Sequence, residues 1–210
     1  MSRFNECLAF TWRPECDGQP LHVTPGDHGG ATAWGVTLAS YASWRADNGV
    51  FPTTQADLAA ASKTDLAALI HSRYWNAIQG DHLPVGVDLL AYDFGYTAGP
   101  GTSARLLQEV VGGLRTDGQL GPVTLAAVAR IDRIGLIHRL GARHEAYYES
   151  LSGFALFGRG WSNRNAARVQ AALAAPVATP VSAPVIAPVA VPHVGMIASA
   201  FQEVRHALGA

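Results

Sequence analysis

The sequence predicts a mainly α-helical domain with room for one small β-hairpin, then a proline-rich tether and a short amphipathic helix. Three observations carry this. Apolar residues recur at three- and four-residue spacing along most of the first 175 positions. Short strands fit residues 18–24 and 114–121, and nothing else alternates with period two. From Pro176 onward prolines recur every four residues in "PVATPVSAPVIAPVAVP", a spacing that excludes an α-helix and favours an extended, semi-rigid linker.

The elements follow in order. Phe4, Cys7, Leu8 and Thr11 or Trp12 share one helical face, and Pro14 ends or distorts that helix just before Glu15. Residues 16–32 are loop by composition. A second helix is expected from Thr32, or just after it, through "WGVTLASYASWRA". Thr53 or Thr54 caps a helix at "QADLAAAS". "KTDLAALIHSRYWNAI" is amphipathic, with Leu66, Leu69, Ile70, Tyr74 and Ile78 on the apolar face. "GDHLP" is a turn, and "VGVDLLAYDFGYTAG" is apolar enough to be the central helix, interrupted by Asp88 and Asp93. "TSARLLQEVVGGL" ends at Gly112-Gly113, and "RTDGQLGP" turns the chain with Pro122 at the next first helical position. "VTLAAVARI" and "RIGLIHRLGARHEAYYESL" are further helices. The domain is expected to span 1–175, the tether 176–192, and the terminal helix 193–210, with Ile197, Phe201, Val204 and Leu208 on one face.

Composition excludes several classes. Among 210 residues the net charge is −1, so no basic face supports nucleic-acid binding. No apolar run approaches the roughly 18–20 residues that span a bilayer, and Arg3 and Glu6 leave no apolar core for a signal peptide. Synthesis in the cytoplasm without a leader is expected. The terminal helix is weakly charged, which argues against membrane attraction; docking on its own domain, a second copy or an export partner remain its alternatives. Cys7 and Cys16, if joined by helix, stand roughly 13 Å apart, beyond the reach of about 7 Å for a disulfide, so both read as free thiols. No metal site or cofactor is expected. His138 and His144 read as helix-surface residues.

Glu15 is the candidate for chemistry. Cleaving a glycosidic bond needs a carboxylic acid that stays protonated near neutral pH, and the end of an apolar helix beside a folded loop raises a glutamate's pKa. Asp27 is the carboxylate best placed by sequence to activate water, since Gly29-Gly30 can turn the backbone and aim Asp27 and Thr32 into one space. The plain alternative is that Glu15 and Asp27 are solvated loop residues and Thr32 a helix cap.

The stretch "PECDG…PGDHGGATAWGVT" resembles the N-terminal motif of glycoside hydrolase family 108, in which a Glu-Gly-Gly segment precedes an Asp-x-Gly-Gly-x-Thr-x-x-Gly-Ile-Thr run. Asp27, Gly29, Gly30, Thr32, Gly35, Val36 and Thr37 match the second part. "RYWNAIQGDHLPVGVDLLAYDFGYTAGPGTSARLLQEVVG", "TDGQLGPVTLAAV" and "RHEAYYESL…FGRGWSNR" are similar to the predicted peptidoglycan domain that follows in this family. The resemblance runs from Phe4 to about Leu173 and divides the domain into a motif region, 1–78, and a peptidoglycan-domain-like region, 79–175. It implies a lysozyme-like helical fold and an N-acetylmuramidase that cleaves the β-1,4 bond of peptidoglycan glycan strands in the wall, in phage lysis or secretion. It implies that Glu15 is the catalytic acid.

Two departures stand out. The family's Glu-Gly-Gly is here Glu15-Cys16-Asp17-Gly18, which adds a charge close to the acid. Where the family reads Asp-x-x-x-Asn-x-Gly, this chain has Asp93, Thr97 and Gly99. Trp34, Tyr92, Asp93 and Tyr96 are candidates, with Thr32, for binding sugar; Asp93 reads equally as a buried structural carboxylate, and Tyr41 and Trp75 read as core. "DGQLGP" reads as a structural turn. "RGWSNR", with Arg159, Trp161 and Arg164, is either a helix-end staple or a contact for the anionic wall. A lytic transglycosylase and an inactive wall-binding module remain the rival readings.

Overall fold

The structure is a computed structural model and describes residues 2–13, 21–23 and 31–176. Its axis is helix α5 (Val87–Ala98), buried on every side from Val87 to Gly95. Around it pack α1 (Arg3–Thr11), α6 (Pro100–Val111), α8 (Arg133–Glu149) and α9 (Phe154–Ala174). A helix hydrophobic all round can only be interior, so the apolar run that marked this segment as central also determines its place. Gly86 opens α5 at φ 90°, and a Cβ there would lie 2.5 Å from the Ala172 carbonyl oxygen. Only glycine fits both the backbone and the contact with α9.

Two buried carboxylates on α5 latch α1 at both ends. Arg3 donates from Nε to Asp88 Oδ2 at 2.8 Å and from Nη2 to Oδ1 at 2.9 Å. Asp88 Oδ1 also accepts the Gly86 and Leu89 amides, each at 2.7 Å. At the far end Thr11 Oγ1 donates to Asp93 Oδ1 at 2.8 Å. Cys7 lies between these latches, a free thiol whose pKa burial pushes up; Cys16 lies outside the described residues.

Among the described residues the β-structure is a three-stranded antiparallel sheet in the order β1 (His22–Val23), β2 (Ala31–Ala33), β3 (Val36–Thr37). Thr32 stands opposite both His22 and Thr37. The second helix therefore does not begin at Thr32. Trp34 and Gly35 adopt φ 51° and 76°, the two-residue turn that matches strand twist, and the chain folds back before Thr37 caps α2 (Leu38–Asp47). Thr54 and Asp57 form a capping box on α3 (Gln55–Ala60), and Ser62 caps α4 (Lys63–Ile70). The amphipathic segment then changes pitch into a π-turn over His71–Trp75, and Gly80–His82 forms one 3-10 turn.

Residues 114–121 contain no strand. Gln108 locks them as a turn, donating to Asp117 Oδ1 at 2.9 Å and the Gln119 carbonyl at 3.0 Å while accepting the Gly118 amide at 2.9 Å. Helix α7 (Pro122–Val128) follows, with Pro122 in its first turn. "RGWSNR" is not a helix end: it lies inside the 21-residue α9. Apart from Pro176, the tether and terminal helix lie outside the described residues.

His144 is not a surface residue. It is fully buried, stacked at 3.9 Å and 5° on Phe94, and among the described residues neither ring nitrogen has a hydrogen-bond partner. Burial, with Arg168 and Arg143 nearby, holds its pKa well below the ordinary 6.5. Below that pH the unfolded chain takes up a proton that the folded chain refuses. Stability is therefore expected to fall as pH drops from about 6.5, by up to roughly 1.4 kcal/mol per pH unit. Thermal melts at pH 7.5 and 5.5 check this; His144→Leu is expected to lower Tm at pH 7.5 and to narrow the difference between the two pH values.

Candidate active site

Glu15 and Asp27 lie outside the described residues. What the structure describes is the frame that carries them in sequence: the end of α1, which precedes Glu15, and strands β1 and β2, which flank Asp27.

Strand alternation sorts the sheet residues. Ala31 and Ala33 turn into the core and Thr32 turns out, half exposed, beside Thr37 on the paired strand. Trp34 follows at the hairpin tip. A bulky residue at positive φ is strained, and strain of this kind persists where the surroundings over-determine it. Here the Trp34 carbonyl accepts Trp12 Nε1 at 3.0 Å and the Tyr96 hydroxyl at 3.1 Å. The hairpin tip is thus tied to α1 and to α5 through one oxygen. The Trp34 ring meets Trp12 at 5.9 Å, and Lys63 Nζ sits 3.6 Å above it. Tyr96 continues the aromatic surface, 5.0 Å from Tyr74.

Thr32, Trp34 and Tyr96 therefore gather at one junction of sheet, α1 and α5. Tyr92 and Asp93 do not join them at the surface, and the expectation that they touch sugar is corrected. Tyr92 has no exposed surface and packs edge-on against Phe4 and Trp75. Asp93 is also fully buried, and its oxygens are committed to protein partners. It accepts Arg164 Nη2 at 2.8 Å and Nε at 3.1 Å, Arg168 Nη1 at 3.2 Å, and the Thr11 hydroxyl. The two guanidiniums hold its pKa below the usual carboxylate range against the opposing effect of burial. Thr97, in place of the family's asparagine, donates back to the Phe94 carbonyl at 3.1 Å.

Arg164 and Arg168 were missed as partners of Asp93. Their i, i+4 spacing on one helix face was the available signal, since a carboxylate inside an apolar helix needs cations. Among the described residues no group of His, Cys, Asp and Glu is arranged to hold a metal ion.

Comparison with known proteins agrees with this architecture. The family model described as Glycosyl hydrolase 108 matches residues 17–99, from two positions after Glu15 to the end of α5. The solved structure "Structure of Brucella abortus SagA" is similar at 33% identity and a TM-score of 0.72, covering 81% of this chain and 94% of that one. No curated protein matches. Fold and matches define the class: a mainly α, lysozyme-like glycoside hydrolase acting on peptidoglycan of the cell wall. Within that class, the chain belongs to the glycosyl hydrolase 108 family.

Proposed function

We propose that the protein is an N-acetylmuramidase, hydrolysing the β-1,4 bond from N-acetylmuramic acid to N-acetylglucosamine with Glu15 as general acid. The observation that supports this most is the outward-facing Thr32 beside the strained Trp34 tip, inside the family-matched residues 17–99. Glu15 protonates the leaving oxygen while charge builds on the sugar ring, and Asp27 or Thr32 orients the attacking water. In this reading residues 1–175 form the catalytic domain and 176–210 an appendage, in a protein that lyses cells or opens the wall for secretion.

Purified sacculi, digested and reduced with borohydride, test the bond assignment by mass spectrometry. Reduced N-acetylmuramic acid ends are expected. Reduced N-acetylglucosamine ends contradict the bond, and anhydro ends make the protein a lytic transglycosylase.

Trp34 supplies a second test. Asn tolerates positive φ, so Trp34→Asn keeps the turn and removes the ring. KM for solubilised glycan is expected to rise roughly fivefold, equivalent to about 1 kcal/mol of ring contact, with kcat little changed.

A further inference from the structure

Helix α9 turns two large apolar side chains outward at its start. Leu156 is 77% exposed and Phe157 is 55% exposed. The buried face of the helix is regular: Gly158, Asn165, Arg168 and Ala172 recur at seven-, three- and four-residue spacing. By helical geometry Leu156 stands on the opposite side, where a solvated helix carries polar residues. Packing among the described residues gives Leu156 no reason to be apolar.

The tip is held rigidly. A Cβ on Gly158 would lie 2.6 Å from the Phe154 ring, and one on Gly153 would lie 3.2 Å from Trp161 and 3.4 Å from Phe157. Glycine at these positions lets the rings close over the opening turn. The rings then run inward as a ladder. Phe157 meets Trp161 at 5.9 Å, and Trp161 meets the buried Tyr148 at 5.7 Å. Phe157 is the outer rung of this ladder, so little freedom is lost when it meets a partner.

Charge around the tip has one sign. After Glu149 no acid follows before Pro176, and the segment carries Arg159, Arg164 and Arg168. Asp93 claims the last two. Arg159, two positions past Phe157, is exposed, and among the described residues it makes no ion pair.

Area and charge select the partner. The two side chains offer on the order of 300 Å². A stable protein interface buries about 800 Å² per partner, which argues against a second copy of this chain. A lipid surface asks for less. Leu and Phe side chains reach the acyl boundary, a tryptophan suits the headgroup level, and a cation meets the phosphates.

We propose that the start of α9 docks on an anionic phospholipid bilayer, with Leu156 and Phe157 at the boundary of headgroups and acyl chains and Arg159 on lipid phosphate. The inference does not depend on which bond the protein cleaves. A wall hydrolase attached in this way works where the wall faces a membrane.

Co-sedimentation of the full chain with vesicles tests this, comparing one part phosphatidylglycerol in three of phosphatidylethanolamine with pure phosphatidylcholine. Wild type is expected to prefer the anionic vesicles, and its binding to fall as salt is raised. Leu156→Ser with Phe157→Ser is expected to weaken binding at least about tenfold, and Leu156→Ser alone about threefold at unchanged Tm, because that side chain is exposed. Arg159→Gln is expected to cost about fivefold on the anionic vesicles only. Hydrolysis of sacculi without lipid is expected to be unchanged in all three variants, so a failure here leaves the muramidase reading standing. Wild type that stays in the supernatant, or that binds both lipids equally, overturns the proposal. So does sedimentation of both serine variants like the wild type. A wild-type dimer that the double serine variant dissolves in analytical ultracentrifugation assigns the tip to a second copy, and also overturns it.

Discussion

Replacing Glu15 by Gln is expected to lower the rate of wall hydrolysis by about 10²- to 10⁴-fold. The amide is nearly the same shape and size as the acid, but it has no proton to give to the leaving oxygen. Binding to sacculi and thermal stability are expected to survive the change. The loss should then sit in kcat, as it does when an interaction made only in the transition state is removed. Dye release from labelled sacculi measures it. A variant that retains a third of wild-type activity would show that another group donates the proton.

Removing Asp93 is expected to have the largest effect on stability. Arg168 is fully buried and Arg164 partly so, and both direct nitrogens at this carboxylate. Asp93→Ala leaves at least one guanidinium uncompensated in the core, which costs about 3–5 kcal/mol. For a domain of this size that corresponds to a fall in Tm of roughly 6–20 °C. The same change unties the end of α1 from α5, because Thr11, four positions before Glu15, loses its acceptor there and keeps only the Cys7 carbonyl of its own helix at 3.3 Å. Activity measured well below the new Tm is therefore expected to drop as well. Asp93→Leu combined with Arg168→Met is expected to regain part of the stability, since apolar residues replace a buried pair at little cost, but not the activity, because the Thr11 latch stays broken. Full recovery of activity in that double variant would remove Asp93 from the positioning of the acid.

Much of this architecture was legible because it depends on local chemistry. The apolar run at Val87–Gly95 announced a buried helix, and Thr54, Pro122 and Gly112 marked helix ends by capping and φ preferences that hold in any context. The hairpin at residues 31–37 was not legible as one, because its turn depends on Trp34 accepting a left-handed backbone that the residue does not favour. Tertiary hydrogen bonds to its carbonyl, from Trp12 and Tyr96, supply what local preference lacks. The buried cluster was half legible. Asp93 advertised a need for partners, but the arginines that meet it lie 71 and 75 positions away, a distance no periodicity spans. His144 followed the same pattern: its polar ring suggested the surface, and the stack on Phe94 placed it in the core. At the candidate site the Tyr96 hydroxyl donates to the Trp34 carbonyl across 62 positions, a tie that no local spacing announces, while Tyr92 and Asp93 are fully buried.

The central claim is that Glu15 drives hydrolysis by water. Digestion of sacculi in H2¹⁸O, with wild type and Glu15→Gln side by side, tests it most directly. The account predicts one ¹⁸O at each new muramic acid reducing end with wild type and no new ends with the variant. Products without ¹⁸O, closed as anhydro sugars, or equal labelling by both proteins, would contradict it.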